Sequence, residues 1–461
     1  MKLFGTDGIR GKVNRSHMSP ETVLRIGLAI ASVLENDHGR NMVLIGKDTR
    51  LSGYLIESAL TSGICSMGMN VTLVGPIPTP GVSFLARTLR LDAGIVISAS
   101  HNPFDDNGIK IFSASGFKIS DELERQIEAL VADAKFPAKR PKGARIGRAY
   151  RLDDATGRYI EYIKSTIPRG VDLDGLKVVV DSANGAAYKV TARLLAELGA
   201  DVISINDKPD GININSNCGS LHLECVAQEV KKFNAHIGIA HDGDADRTLF
   251  VDEKGDPIDG DLILGACALD LKKEGQLKGN GIVATVMSNL GLENYLSGHG
   301  ISLVRTNVGD RYVVDEMLKG GYNLGGEQSG HIIFFDYNST GDGPITALQV
   351  LYLMRKKNRL ISELTAGIDL YPQVLLNVPI STKEDVHSVP EVAKIIDESS
   401  HRLGDKGRIL VRPSGTEPKI RIMVESINRD VALDIAGNIA DAIQKTIAHR
   451  VITEPAKMTS N

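Results

Sequence analysis

Short unbroken apolar runs, each bounded by glycine or polar residues, recur along the chain and predict buried strands. The run MVLIG at 42–46 is followed by a helical stretch at 54–67 and a second apolar run at 71–74. LKVVVD at 176–181 repeats this order, with a helix near 187–198 and a strand at 202–205. GIVATV at 281–286 opens a third copy, with a helix near 290–297 and a strand at 301–304. A small turn (GMN, GAD or GHG) precedes each second strand, and each first strand ends in polar residues (KDTR, SANG, MSN). Three strand–helix–strand units of one design imply three related α/β domains.

The stretch from 371 to the end differs. The pattern predicts a strand at 374–380, a helix at 391–403, strands at 408–413 and 420–424, and a helix at 431–447. Val431, Ile435, Ile439 and Ile443 form an i, i+4 stripe on that last helix. This β-α-β-β-α order implies a smaller C-terminal α+β domain. The expected division is 1–155, 156–257, 258–370 and 371–461, with linkers near 151–169, 257–262 and 368–372. Within the first domain, Asp121 with Glu124 three residues later reads as a helix cap, and Leu123, Ile127, Leu130 and Val131 as the buried face behind it.

Composition narrows the class. At 461 residues with 42% hydrophobic content, the chain can bury several cores, and disorder is excluded as its main state. Lys plus Arg total 53 against 57 for Asp plus Glu, so no basic excess calls for nucleic acid or an anionic membrane. A local basic segment from Lys135 to Arg151 reads as a solvated connecting loop. Cys65, Cys218, Cys225 and Cys267 are too scattered for a disulfide framework or zinc knuckle. No targeting segment or membrane span is evident, so a cytoplasmic location is expected.

Four stretches carry candidate chemistry. In AGIVISASHNPFDDNGIKIF at 93–112, a buried strand delivers Ser100 to a polar loop at its carboxyl end, where α/β ligand sites form. His101 is adjacent, but on extended chain the two side chains would face opposite ways, so direct activation of Ser100 is not expected. In HIGIAHDGDADRTLFV at 236–251, Asp242, Asp244 and Asp246 alternate after a strand. Period two would bring their carboxylates to one side, where a divalent cation offsets their repulsion. Oxygen ligands favour Mg²⁺ or Ca²⁺, and Arg247 stands where a calcium loop needs glycine, which leaves Mg²⁺.

The third stretch is GGEQSGH at 325–331, where Glu327 and Ser329 can read sugar hydroxyls between close-approaching glycines. The fourth is RPSGTEPKIR at 412–421, a turn in which Arg412, Ser414, Gly415, Thr416 and Arg421 form an anion nest. Arg10, Lys47 and Arg50 lie in further glycine-flanked loops as candidate phosphate contacts. Neither a nucleotide P-loop nor a G-x-G-x-x-G occurs. A presented serine, a metal cluster, a hydroxyl-reading loop and cationic phosphate sites are the parts of phosphoryl transfer on a sugar phosphate. Two other readings are compatible with some of these residues. Asp244-Ala-Asp246-Arg-Thr248 fits an aspartyl-phosphate nucleophile motif, and a sugar-phosphate binding protein would need no nucleophile.

GTDGIRG, SASHNP, DGDADR, GEQSGH and RPSGTEPKIR, in this order over essentially the whole length, resemble the α-D-phosphohexomutase superfamily. The resemblance implies four domains around a central cleft, the three α/β domains with mixed sheets. SASHNP, NVGDRYV at 307–313, Gln328 and NSNCGSLH at 215–222 resemble the branch interconverting glucosamine 6-phosphate and glucosamine 1-phosphate; the same fold also serves mannose and glucose phosphates. It implies that Ser100 is the phosphoserine and that a hexosamine 1,6-bisphosphate is intermediate and activator. Asp242, Asp244 and Asp246 would hold Mg²⁺ with Ser100 as fourth ligand. Lys110 and His331 would do acid–base work, Lys110 with a lowered pKa. Arg10, Arg50 and Arg247 would hold the transferring group, and Arg412, Ser414, Gly415, Thr416 and Arg421 the other phosphate. Gln328 with Gly309, Asp310 and Arg311 would favour the 2-amino sugar. Lys47 stands where many relatives have arginine. The partner implied is a small sugar phosphate, with room left for a homodimer and none for nucleic acid or membrane.

Overall fold

A computed structural model describes residues 2–5, 7–35, 40–136, 139–380, 388–414 and 418–448. They divide into two compact units. The first holds residues 1–287 and 299–367, and the second 288–298 and 368–461.

The first unit contains three sheets built to one plan. In the first, strand Met42–Lys47 pairs in parallel with Asn70–Pro76 on one side and Ala93–Ile97 on the other, and Asp106–Ser113 then returns antiparallel. In the second, Lys177–Asp181 lies between Asp201–Ile205 and Ile237–His241, and Thr248–Asp252 returns antiparallel. In the third, Gly281–Thr285 lies between Ser302–Thr306 and Leu324–Gly326, and Ile332–Phe334 returns. Each sheet is thus mixed, the repeat supplying its parallel pair and the return strand its antiparallel one. The first sheet grows to seven strands by adding Phe4–Gly5, Gly8–Lys12 and Ala149–Arg151. The basic segment therefore ends in an edge strand, with exposed residues throughout.

Each plan ends in a hairpin that leaves the carboxyl end of a parallel strand. Those hairpins are residues 98–105, 242–247 and 327–331. Three of the four candidate stretches thus occupy one topological position in three sheets. Strand ends expose backbone groups that no neighbour satisfies, so such positions suit ligands.

Buried aliphatics hold each sheet. Val43, Ile45, Val71, Ile95 and Ile97 anchor the first core, where helices Pro20–Leu34 and Gly53–Ser66 approach closely. A Cβ on Gly63 would lie 2.4 Å from the Leu24 carbonyl oxygen, so only glycine fits there. Helix Asp121–Ala132 buries Ile127 and rests Leu123, Leu130 and Val131 on this core, as expected. Its cap is Ser120, whose side chain accepts from the Leu123 amide; Asp121 lies inside the helix.

Two expected linkers are structured. Helix Ala155–Lys164 fills 151–169, with Tyr159, Ile160 and Ile163 buried. Strand Pro257–Ile258 and helix Gly260–Lys273, capped by Asp259, occupy 257–262. The third linker coincides with the break between the units. The third repeat departs from the pattern as well. Its helix Leu290–Gly298 belongs to the second unit.

In that second unit, strands Gln373–Pro379, Lys419–Ser426 and Gly407–Pro413 form an antiparallel sheet. Helix Arg429–Ile443 covers it with Ile435, Ile439 and Ile443 fully buried. Helix Leu290–Gly298 is fixed here by Asn289, whose side chain donates to the Tyr371 carbonyl at 2.9 Å. Among the described residues, no helix is long and apolar enough to cross a membrane.

Candidate functional site

Ser100 lies at the tip of the first hairpin, buried, with φ of +54°. Its Oγ donates to Asp242 Oδ2 at 2.6 Å and lies 3.3 Å from His101 Nδ1. The expectation that neighbouring side chains diverge fails because Ser100 is left-handed, not extended. His101 Nδ1 accepts from Arg247 at 2.8 Å. Burial, then Arg247 and Arg10, push the His101 ring down to about 4, so it stays neutral.

The metal-loop carboxylates converge, though not by strand alternation. The strand stops at His241, and residues 242–247 form a turn with Ala245 at φ +54°. The turn brings ligand oxygens of Asp242, Asp244 and Asp246 within 4.8 Å of one another, all buried. Burial, then Asp244 and Asp246, raise the Asp242 carboxyl well above the usual range. Asp244 Oδ1 and Asp246 Oδ1 are buried without a hydrogen-bond partner. Orphaned carboxylate oxygens facing a shared point fit a hard divalent cation.

Lys110 reaches this cluster from strand Asp106–Ser113. Its Nζ lies 3.0 Å from Asp244 Oδ2, 3.0 Å from Asp246 Oδ2 and 3.1 Å from Asp7 Oδ2. Burial disfavours its charge, but these three carboxylates outweigh it and raise the pKa well above the ordinary value. The lowered pKa expected for Lys110 is therefore corrected: the lysine is held as an ammonium.

His331 closes the far side. Its Nδ1 lies 3.8 Å from Asp246 Oδ1, and its Nε2 accepts the Gly341 amide at 3.0 Å. Burial works against the charged ring, and the Asp246 contact overcomes it, raising the pKa. Arg10 pairs with Asp7 and donates to the Ala99 carbonyl at 3.3 Å. Arg247 and Arg10 each keep a buried Nε without a hydrogen-bond partner. Glu327 and Ser329 share a hydrogen bond of 3.1 Å. Ser100, Lys110, Asp242, Asp244, Asp246, Arg10, Arg247, Glu327, Ser329 and His331 all belong to the first unit.

Three expected roles do not survive the geometry. Arg50 lies fully buried beneath the serine loop, with its guanidinium on Asp48 and the carbonyls of Ser100, Asn102, Pro103 and Asp106, so no donor remains for a phosphoryl group. Lys47 pairs with Glu57 at 2.6 Å and sits over the Tyr54 ring, and is likewise committed. Arg311 turns to Asp121 and Glu124, and Gln328 donates to Asp259 at 3.4 Å. Arg311 is therefore not free to read a sugar amine, whereas Gln328 gives only one long bond.

Three participants escaped the sequence reading. Thr79 donates to Asp244 Oδ2 at 2.7 Å from a helix start 165 residues away. Asp7 ties Lys110, Lys118 and Arg10 together. Asn215 donates to the Ser100 carbonyl at 2.9 Å. Asp7 lies inside GTDGIRG and Asn215 inside NSNCGSLH, so motif membership could have flagged those two. Thr79 carries no local signal.

In the second unit, Arg412 and Arg421 face each other across adjacent strands. Burial, then Arg421, lowers the Arg412 pKa, the electrostatics of a site that favours an anion. Ser414 is buried beside them, whereas Gly415 and Thr416 lie outside the described residues.

The phosphoglucomutase/phosphomannomutase family matches in four parts. Its alpha/beta/alpha domains I, II and III match residues 1–138, 157–255 and 259–371, and its C-terminal domain matches 375–442. A protein of Thermodesulfovibrio yellowstonii named phosphoglucosamine mutase is 60% identical over 93% of this chain and 96% of its own. Another so named, from Syntrophotalea carbinolica, is 52% identical over 97% and 98%. The crystal structure of a phosphoglucomutase/phosphomannomutase family protein from Burkholderia thailandensis superposes with TM-score 0.79 at 25% identity, over 95% of this chain and 97% of that one. With the motifs in order, four domain matches and relatives of this identity over nearly full length, the chain belongs to the phosphoglucomutase/phosphomannomutase family.

Proposed function

We propose that this protein is a phosphoglucosamine mutase, interconverting glucosamine 6-phosphate and glucosamine 1-phosphate for UDP-N-acetylglucosamine and cell-wall precursor synthesis. The observation that carries the reading is the 2.6 Å hydrogen bond from Ser100 Oγ to Asp242, beside two carboxylates with orphaned oxygens. A buried serine with no hydrolase triad, but with a cation cradle at its oxygen, suits a phosphoryl carrier. The names of the relatives support the substrate.

In this reading Ser100 carries a phosphoryl group in the resting enzyme and gives it to the free sugar hydroxyl. The O–P bond to Ser100 breaks as the bond to the sugar oxygen forms, and the hydroxyl proton is made good, by way of His331 and the Lys110 ammonium, on the Ser100 oxygen that leaves phosphorus. The resulting 1,6-bisphosphate reorients, and its other phosphate returns to Ser100. Asp242, Asp244, Asp246 and Ser100 hold Mg²⁺, which when bound neutralises charge on the transferring group. Lys110 enters as an ammonium and donates to the departing oxygen, and His331 accepts the proton of the attacking hydroxyl. Arg10 and Arg247, each with an unpartnered Nε, hold the phosphoryl oxygens. Glu327 and Ser329 read sugar hydroxyls; Arg412, Ser414, Gly415, Thr416 and Arg421 hold the non-reacting phosphate. The domains would divide near 155, 257 and 370, and the enzyme would work in the cytoplasm, with room for a homodimer.

The test is ³¹P NMR of the protein with Mg²⁺ and a trace of hexose 1,6-bisphosphate, in separate tubes of glucosamine, glucose and mannose 1-phosphate. Rapid conversion of the glucosamine ester to the 6-phosphate is expected, and Ser100→Ala is expected to abolish it. Faster conversion of glucose or mannose phosphate would overturn the substrate. Release of inorganic phosphate without isomerisation would overturn the mutase reading.

A further inference from the structure

Arg50 has no exposed side-chain surface, and all five of its N–H groups are engaged. A guanidinium is costly to bury, and this one is offset by Asp48 and four carbonyls. Those carbonyls belong to Ser100, Asn102, Pro103 and Asp106, the underside of the loop that presents the serine. Asp48 completes the support from below. Its Oδ2 accepts from Ser98 Oγ at 2.6 Å, and Ser98 Oγ in turn accepts the Ser100 amide at 2.9 Å.

A second hold comes from the loop that follows strand Asp201–Ile205 of the second sheet. Asn215 Nδ2 donates to the Ser100 carbonyl at 2.9 Å and to the Asn102 carbonyl at 3.1 Å. Gly243, between two of the clustered carboxylates, packs against the same carbonyl, where a Cβ would lie 2.6 Å away. Ser100 itself keeps a left-handed backbone, φ +54°. Glycine takes that conformation freely but supplies no nucleophilic oxygen. A serine there must be held by its surroundings.

We propose that Arg50 and Asn215 are positioning residues, a two-sided clamp on the carbonyls of Ser100 and Asn102 that fixes Ser100 Oγ against Asp242. The clamp rests on the reading of Ser100 as phosphoryl carrier. It acts on the transfer step and leaves sugar binding to other residues. Arg50 serves from below and Asn215 ties the loop to the carboxylate-bearing sheet, so removing either lets the serine leave its aligned position.

The experiment compares wild type with Arg50→Lys, Asn215→Ala and the isosteric Asn215→Asp. Turnover is measured on the hexose phosphate that wild type converts, and hydrogen exchange on peptides spanning 98–106. Asn215→Ala and Asn215→Asp are expected to lose at least tenfold in kcat with KM within twofold, and Arg50→Lys about a hundredfold. Exchange over 98–106 should quicken in all three while the distant sheets stay protected. Unchanged kcat in the Asn215 variants, or a fall matched by lost folded fraction, would overturn the clamp. So would unchanged exchange over 98–106. Should Arg50→Lys fail to fold, the Asn215 variants alone decide. Wild type inactive on every hexose phosphate would sink the functional reading; with exchange still quickened, the clamp would stand as structural only and its positioning role would be overturned.

Discussion

Ser100 Oγ lies 2.6 Å from Asp242 Oδ2, across a separation of 142 residues. This contact joins two hairpins that occupy the same position in two successive sheets. It makes a nucleophile and a cation cradle neighbours through repetition of one topology.

Removal and return of the metal should reverse a stability order. Without cation, Asp242 is strained by burial and by Asp244 and Asp246, so Asp242→Asn should melt higher than wild type in chelator. With Mg²⁺ at about 100 times Kd, wild type should gain about 2.7 kcal/mol and pass the variant. Melting curves in chelator and in Mg²⁺ check this; wild type leading in both would contradict the cradle.

Lys110→Met should take from Asp244 and Asp246 the ammonium they share, while Asp7 keeps Lys118 and Arg10. The expected loss in kcat is on the order of 10²- to 10⁴-fold, the range for a missing proton-transfer group. KM should change much less. Steady-state kinetics settles it, and a change confined to KM would assign Lys110 to binding alone.

Asp342 gives a pH dependence away from the chemistry. It caps helix Gly343–Lys357 and is buried, with Tyr159 OH at 2.8 Å from each carboxyl oxygen. Burial pushes its pKa from 3.8 up to about 6. A carboxyl with a raised folded pKa binds its proton more tightly folded than unfolded. Stability is therefore greatest below the unfolded value and falls as pH rises toward the folded one. The shift corresponds to roughly 3 kcal/mol lost between pH 4 and 6. Asparagine cannot ionise, so the Tm of Asp342→Asn minus that of wild type should climb over this window and level above it. A flat difference would show that Asp342 stays charged.

Arg421→Ala should weaken substrate binding more than turnover. Two guanidiniums on paired strands, one with a lowered pKa, favour a dianion between them. Losing one charge-assisted contact costs about 1.5–3 kcal/mol, or roughly 10- to 150-fold in KM. A fall in kcat at constant KM would remove the phosphate-holding role.

Much of this was legible in the chain. The three apolar-run repeats became three sheets, and the stripe from Val431 to Ile443 became the covering face of the last helix. The carboxylate cluster and the serine loop were legible because each is a local motif at a strand end. The errors share a cause. Arg50 and Arg311 were given ligands by residue type, but burial and partners from distant segments had already used their donors. The convergence of Asp242, Asp244 and Asp246 was expected from strand alternation, whereas a turn through left-handed Ala245 produces it.

The sequence by itself determined the elements, the number of α/β units and the short motifs, since periodicity, caps and glycines act within a few residues of themselves. Only the tertiary structure decided the charge state and duty of each group. Lys110 is an ammonium because Asp7, Asp244 and Asp246 meet it from other strands and loops, and Arg50 supports Ser100 because it is sealed beneath the loop. Electrostatic interaction depends on distance and burial in space, and neither is written in sequence separation.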